Sequence, residues 1–208
     1  MGVAASARVE TGIVLAGGQS ARMGRPKALL EIGGRRLIDR VVEVLRDLFP
    51  EVILVTGAPE PYLSLGLQIV PDALPERRSL VGVYSGLLAT SGTHAFVCAC
   101  DLPFLNGDLI RYMCALLGEQ VSAWDAVVPH CRGEHEPLHA VYGKGCLEAM
   151  RRTIDAGRRN TAFFGEVRVR EVTEDEVARF DPRFLSFVNV NTPGEYEEAR
   201  RIAAKEDG

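Results

Sequence analysis

No apolar stretch in this 208-residue chain approaches the length that crosses a bilayer, and Met1 to Thr11 holds no hydrophobic run of the kind a secretory leader needs. Met1 to Ser6 fits the loose myristoylation pattern, as many unmodified starts do, so lipidation is not inferred. No CxxC pair occurs among the five cysteines, at positions 98, 100, 114, 131 and 146, and their odd number argues against a disulfide framework or a structural zinc site. A reducing, cytoplasmic setting is expected. An excess of positive charge is also missing, since 24 Lys and Arg stand against 28 Asp and Glu for a net charge of −4. Nothing electrostatic draws such a chain to nucleic acid or to an anionic membrane, so any phosphate must be held by local basic groups. Internal repeats, low-complexity tracts and linkers are absent as well. One domain over residues 1–208 is expected, with a flexible start over 1–10.

What is present is an alternation of strand and helix signals. Gly12 to Ala16 is a short apolar run delivered into two glycines, which reads as a buried strand entering a loop. Gly33-Gly34 gives a hairpin signal between two short stretches within 28–38. Ile38, Val41, Val42, Leu45, Leu48 and Phe49 recur with helical spacing until Pro50. Further strands are expected at 52–55, 68–70, 95–100, 126–129, 138–142 and 184–190, and further helices near 80–88, 109–117, 147–154 and 193–203. This order predicts an α/β domain with a mostly parallel sheet. Ligands of such sheets sit beyond the carboxyl ends of the strands, where Gly17-Gly18, Thr56, Asp72, Asp101 and the Asn189 to Thr192 stretch all fall.

The segment from Leu15 to Lys27, LAGGQSARMGRPK, combines small residues with three cations. Glycines let backbone N–H groups approach phosphate oxygens, and Arg22 and Lys27 can neutralise a triphosphate and the charge shed onto a leaving pyrophosphate. No GK[ST] follows and no G-x-G-x-x-G is present, which excludes a Walker loop and weighs against a nicotinamide oxidoreductase. A glycine-rich turn with solvated basic residues would share these features. Asp101 ends an apolar strand and is followed by Leu102-Pro103, so its carboxylate is expected in the crevice, where a hard oxygen suits Mg²⁺; a turn or helix-capping aspartate is the plainer reading.

The Leu15–Lys27 loop resembles the LAGGxSxRMGxxK signature of the nucleotidyltransferase superfamily, and most closely that of the molybdenum-cofactor guanylyltransferases. Cys100-Asp101-Leu102-Pro103-Phe104 resembles that family's CDxPF segment and Asn189-Val190-Asn191-Thr192-Pro193 its NVNTP segment, so the likeness runs nearly the whole chain. It implies a three-layer α/β/α, Rossmann-like fold and transfer of GMP from GTP to the phosphate of molybdopterin, with pyrophosphate released. It assigns catalysis to Arg22, Lys27 and Asp101, with Asp101 holding Mg²⁺. Leu15, Ala16, Gly17, Gly18, Lys27, Thr56, Asp72 and Asp101 would bind the nucleotide, and Asn189 and Asn191 the pterin acceptor. Glu136 to Tyr142 resembles the family's segment on the pterin side. Cofactor-insertion proteins or molybdoenzymes would be the downstream partners.

Two departures matter. Thr56 stands where the family carries an asparagine that contacts the base, and threonine cannot make a two-ended amide contact. Only Leu-x-Gly of the family's Gly-Pro-Leu-x-Gly survives at Ser79 to Gly82. Asp72 and the Asn189–Thr192 stretch also admit ordinary turn and cap readings. His130, Cys131, His135 and His139 lack the spacing of a zinc site, and Cys98 and Cys100 read as small buried strand residues. The competing functions are a cytidylyltransferase for the same cofactor, a nucleotidyltransferase for another phosphorylated metabolite, and a non-catalytic nucleotide-binding module.

Overall fold

The computed structural model describes residues 9–17, 26–118 and 124–206. Most of the expected flexible start, together with Gly18 and Arg22, lies outside the described residues. The chain runs β1 (Thr11–Leu15), β2 (Glu31–Ile32), β3 (Arg35–Arg36), α1 (Leu37–Leu48), β4 (Glu51–Val55), β5 (Gln68–Val70), α2 (Ser79–Ala89), β6 (His94–Ala99), α3 (Gly107–Gly118), β7 (Ala126–Cys131), β8 (Glu134–His135), β9 (His139–Gly143), α4 (Leu147–Asp155), β10 (Val169–Val172), α5 (Glu174–Ala178) and α6 (Pro193–Glu206).

The main sheet has the order β10-β7-β9-β6-β1-β4-β5. β1 pairs in parallel with β4 and β6, β4 with β5, and β7 with β10. β9 is antiparallel to both β6 and β7. Six strands of that path therefore run the same way, and their carboxyl ends share one edge. Ile13 and Val14 of β1 are fully buried, as a strand covered on both faces requires.

Alternating strand residues feed two apolar layers. Val14, Leu54, Phe96 and Val127 pack with α1 and α3 on one face; Ile13, Ile53, Val97 and Val128 pack with α2 and α4 on the other. This is the expected three-layer architecture. A third, smaller cluster of Ile32, Leu37, Val190, Ala199 and Ala203 seats α6 on the β2–β3 hairpin rather than on the sheet. No helix among the described residues is long and apolar enough to cross a membrane.

The strand expected over 184–190 is not one. Phe184 takes φ 56° and Leu185–Phe187 forms a single 3₁₀ turn. The Asp181 carboxylate accepts the Leu185 N–H at 3.0 Å and the Ser186 N–H at 2.8 Å, withdrawing both donors from any ladder. The apolar residues there follow the cover of the sheet, not a strand within it. β10 and α5 come instead from the polar run 169–178, where Thr173 and Glu176 cap α5 reciprocally.

Candidate active site

Parallel register aligns the ends of β1, β4 and β6. The Ala16 N–H donates to the Val55 carbonyl at 2.9 Å, and the Cys100 N–H donates to the Leu15 carbonyl at 3.0 Å. The start of the glycine loop and Asp101 are thus side by side. A Cβ built on Gly17 meets nothing within 4 Å, so its backbone faces open space at the strand edge. A helical glycine brings the next wall close: a Cβ on Gly82 of α2 would lie 3.3 Å from Leu15 Cδ2. At the α2 start, Asn160 Nδ2 donates to Ser79 Oγ at 2.7 Å and Arg78 Nε donates to Asn160 Oδ1 at 3.0 Å. Asp72 follows β5 and is exposed; the next residue, Ala73, is fixed by an N–H donated to Ser85 Oγ at 2.8 Å.

Thr56 is 3 % exposed, and its hydroxyl donates to the Ala16 carbonyl at 3.0 Å while accepting the Ala58 N–H at 3.2 Å. It therefore ties the start of the β1 loop to the end of β4.

Lys27 opens a short 3₁₀ turn, and its Nζ donates to Asn191 Oδ1 at 2.7 Å. Asp101 is partly buried, and its carbonyl accepts the Val190 N–H at 3.1 Å. Burial raises the Asp101 carboxyl above its ordinary value; Lys27 pulls it down and Glu195 pushes it up. One cation, one desolvated carboxylate and one amide thus converge from the start, the middle and the end of the chain. Asn189 does not join them, since its amide turns back to the Phe187 carbonyl at 3.5 Å.

Glu195 is the residue that motif reading passes over. Its Oε2 accepts the Asn191 N–H at 2.7 Å and the Thr192 N–H at 2.8 Å, while its own N–H donates to Thr192 Oγ1 at 3.2 Å. This is a capping box at the start of α6, and Thr192-Pro193-Gly194-Glu195 carried its signature. The cap fixes the backbone that presents Asn191 to Lys27.

Among the described residues no group of three or more His, Cys, Asp and Glu side chains is arranged to hold a metal. His139 is buried edge-on between Phe96 and Phe187, with ring centroids 5.1 Å from each. His130 and His135 face each other elsewhere, 4.7 Å apart. Asp101 alone is still a fitting Mg²⁺ donor, because that ion takes one or two carboxylates and completes its shell with phosphates and water.

The model of the MobA-like NTP transferase domain matches residues 12–171. A probable molybdenum cofactor guanylyltransferase from Pelotomaculum thermopropionicum is 40% identical over 93% of each chain. A molybdenum cofactor guanylyltransferase from Desulfosudis oleivorans is 37% identical, covering 91% of this chain and 93% of the relative. In fold, the chain is similar to the crystal structure of molybdopterin-guanine dinucleotide biosynthesis protein A from Archaeoglobus fulgidus, with a TM-score of 0.81 at 24% identity over 94% of this chain and 99% of that one. With a domain match over most of its length and such relatives, this chain belongs to the MobA-like NTP transferase family.

Proposed function

We propose that this chain transfers GMP from GTP to the phosphate of molybdopterin or its molybdenum-bearing form. The observation that carries the reading is the convergence of Lys27, Asp101 and Asn191 beside the β1 loop, in a chain whose relatives bear that activity in their names. An acceptor phosphate oxygen forms a bond to the α-phosphorus, the bond from that phosphorus to the β-phosphate oxygen breaks, and pyrophosphate leaves with the electron pair. The nucleophile is already anionic, so no general base is required. The protein's task is to place two anions together and to balance their charge.

Lys27 supplies a cation whose position the Asn191 amide fixes. The Leu15–Gly17 backbone, with Gly18 and Arg22 by family resemblance, cradles the triphosphate. Asp101 would hold Mg²⁺, which when bound neutralises phosphate charge. Asp72 is the candidate nucleoside contact. The cytoplasm is the proposed compartment, and five thiols without a disulfide among them suit it.

The test is pyrophosphate release by the purified chain with Mg²⁺ and molybdopterin, supplied with GTP or CTP in turn. Turnover with GTP alone supports the guanylyl assignment. Turnover with CTP instead would move the chain to the cytidylyl branch, and silence with both would discard the acceptor.

A further inference from the structure

The proposed acceptor has two chemically distinct ends, a phosphate and a flat heteroaromatic ring, and the Lys27 cluster addresses only the first. A second group of side chains lies along the same sheet edge. β7 runs parallel to β6, with β9 between them, so the ends of β6 and β7 are two strand spacings apart, roughly 10 Å. Asp101 follows β6. At the end of β7 the chain turns through Arg132 and Gly133, at φ 54° and 78°, into β8.

Across that hairpin His130 and His135 are direct partners, with ring centroids 4.7 Å apart and planes inclined by 35°. Phe164 stands edge-on to His135 at 5.1 Å. Both histidines are partly exposed, and the His135 side chain retains 27% of its surface. His130 keeps the alternation of Ala126 and Val128, which puts it on the α2 and α4 side of the sheet, the side that also carries Ser79. Core packing accounts for Phe163 and Tyr142 behind this group, but not for two imidazoles left at the rim.

The hairpin is pinned on both flanks. His135 Nε2 lies 2.7 Å from Glu171 Oε1 on β10, the Arg132 N–H donates to Glu174, and the Arg132 guanidinium sits 6.0 Å from the Phe184 ring centroid. A rigid aromatic ledge at strand-edge height, some two strands from a phosphate cluster, is what a phosphorylated ligand with a planar ring requires.

We propose that His130 and His135, backed by Phe164, form a ledge on which the pterin ring of the acceptor stacks while its phosphate reaches Lys27. This subsite rests on the function proposed above. Stacking sets acceptor affinity and leaves phosphoryl chemistry and GTP binding alone.

The experiment compares wild type with His130→Gln, His135→Gln, His130→Phe and His135→Phe. Glutamine keeps a polar partner for Glu171 and removes the ring; phenylalanine keeps the ring and removes the polar atoms. In the glutamine variants the KM for molybdopterin should rise about 10-fold or more at unchanged kcat and GTP KM, and the phenylalanine variants should largely retain wild-type values. A second readout needs no turnover: quenching of 6-hydroxymethylpterin fluorescence on titration with protein should weaken in the glutamine variants only. Unchanged acceptor KM and unchanged quenching in active glutamine variants would overturn the ledge, as would a rise confined to GTP KM. Wild type that transfers no nucleotide to molybdopterin yet quenches the pterin through these histidines would overturn the proposed function while leaving the ledge standing.

Discussion

Lys27 Nζ donates to Asn191 Oδ1 at 2.7 Å, joining the first crevice loop to the last across 164 positions of sequence. An ammonium has three donors, so one fixed by an amide leaves two for phosphate oxygens while losing much of its freedom. Lys27→Ala should lower kcat/KM on the order of 100-fold or more, as the removal of preorganised charge does elsewhere. Asn191→Ala should cost less, because the cation survives and only its aim is lost. If Asn191 acts through Lys27, the double variant should be little worse than Lys27→Ala alone, and steady-state kinetics on the four-enzyme cycle would show it. Strictly additive losses would mean that the two residues act separately.

Glu195 makes the same point one step removed. Its carboxylate takes the N–H groups of Asn191 and Thr192, so Glu195→Ala should release the loop and unseat the α6 cap. Lost capping costs about 1 kcal/mol, visible as a small drop in Tm. Acceptor KM should rise by more than that loss of stability explains, because Asn191 no longer meets Lys27. Equal behaviour of Glu195→Ala and a distant cap variant such as Thr173→Ala would reduce Glu195 to a structural role.

Local pattern was enough for the parts of the site that are local. The run into Gly17, the strand ending at Asp101 and the amphipathic stripe of α1 each declare themselves within a dozen residues, because burial imposes a period on them. The 184–190 segment misled for the same reason: Phe184, Leu185, Phe187 and Val188 have strand composition, while the residue that prevents a strand, Asp181, lies upstream and acts through two backbone N–H groups. Thr56 read as a crevice residue from its place after β4. Its hydrogen bond to the Ala16 carbonyl, 40 positions away, exists only once β1 and β4 are paired. The Lys27–Asn191 contact is likewise a product of topology, and no spacing rule could supply it.

Close approach of α2 to the sheet rests on a missing side chain. A Cβ on Gly86 would lie 2.6 Å from Ile13 Cγ2 and 3.2 Å from Val55 Cγ2, both on β-branched side chains of central strands. Alanine gains about 1 kcal/mol of helix propensity but overpacks at a cost of about 1–3 kcal/mol. Ile13 is fully buried and cannot swing aside, so Gly86→Ala should lower Tm. It should also raise GTP KM, since the helix that moves carries Gly82, whose Cβ position lies 3.3 Å from Leu15 Cδ2 at the end of β1. Gly165→Ala, where a Cβ meets nothing within 4 Å, is the control expected to be neutral.

Stability should fall in mild acid through His139. The residue is 1% exposed, and neither ring nitrogen has a hydrogen-bond partner in the structure. Burial is the largest influence on it and holds the imidazole down at about 4 from an ordinary value of 6.5, with its own backbone and then Asp181 opposing only in part. Between those values the unfolded chain binds a proton that the folded chain refuses, so stability is complete above about 6.5 and drains away as pH falls toward about 4. A depression of that size corresponds to on the order of 3 kcal/mol at the acid end of the window. His139→Phe keeps a ring between Phe96 and Phe187 and removes the proton acceptor. Tm measured across the window should therefore decline with a gentler slope in the variant than in wild type. Parallel slopes would show that His139 is protonated without unfolding, which requires its ring to reach water through the Phe187 turn.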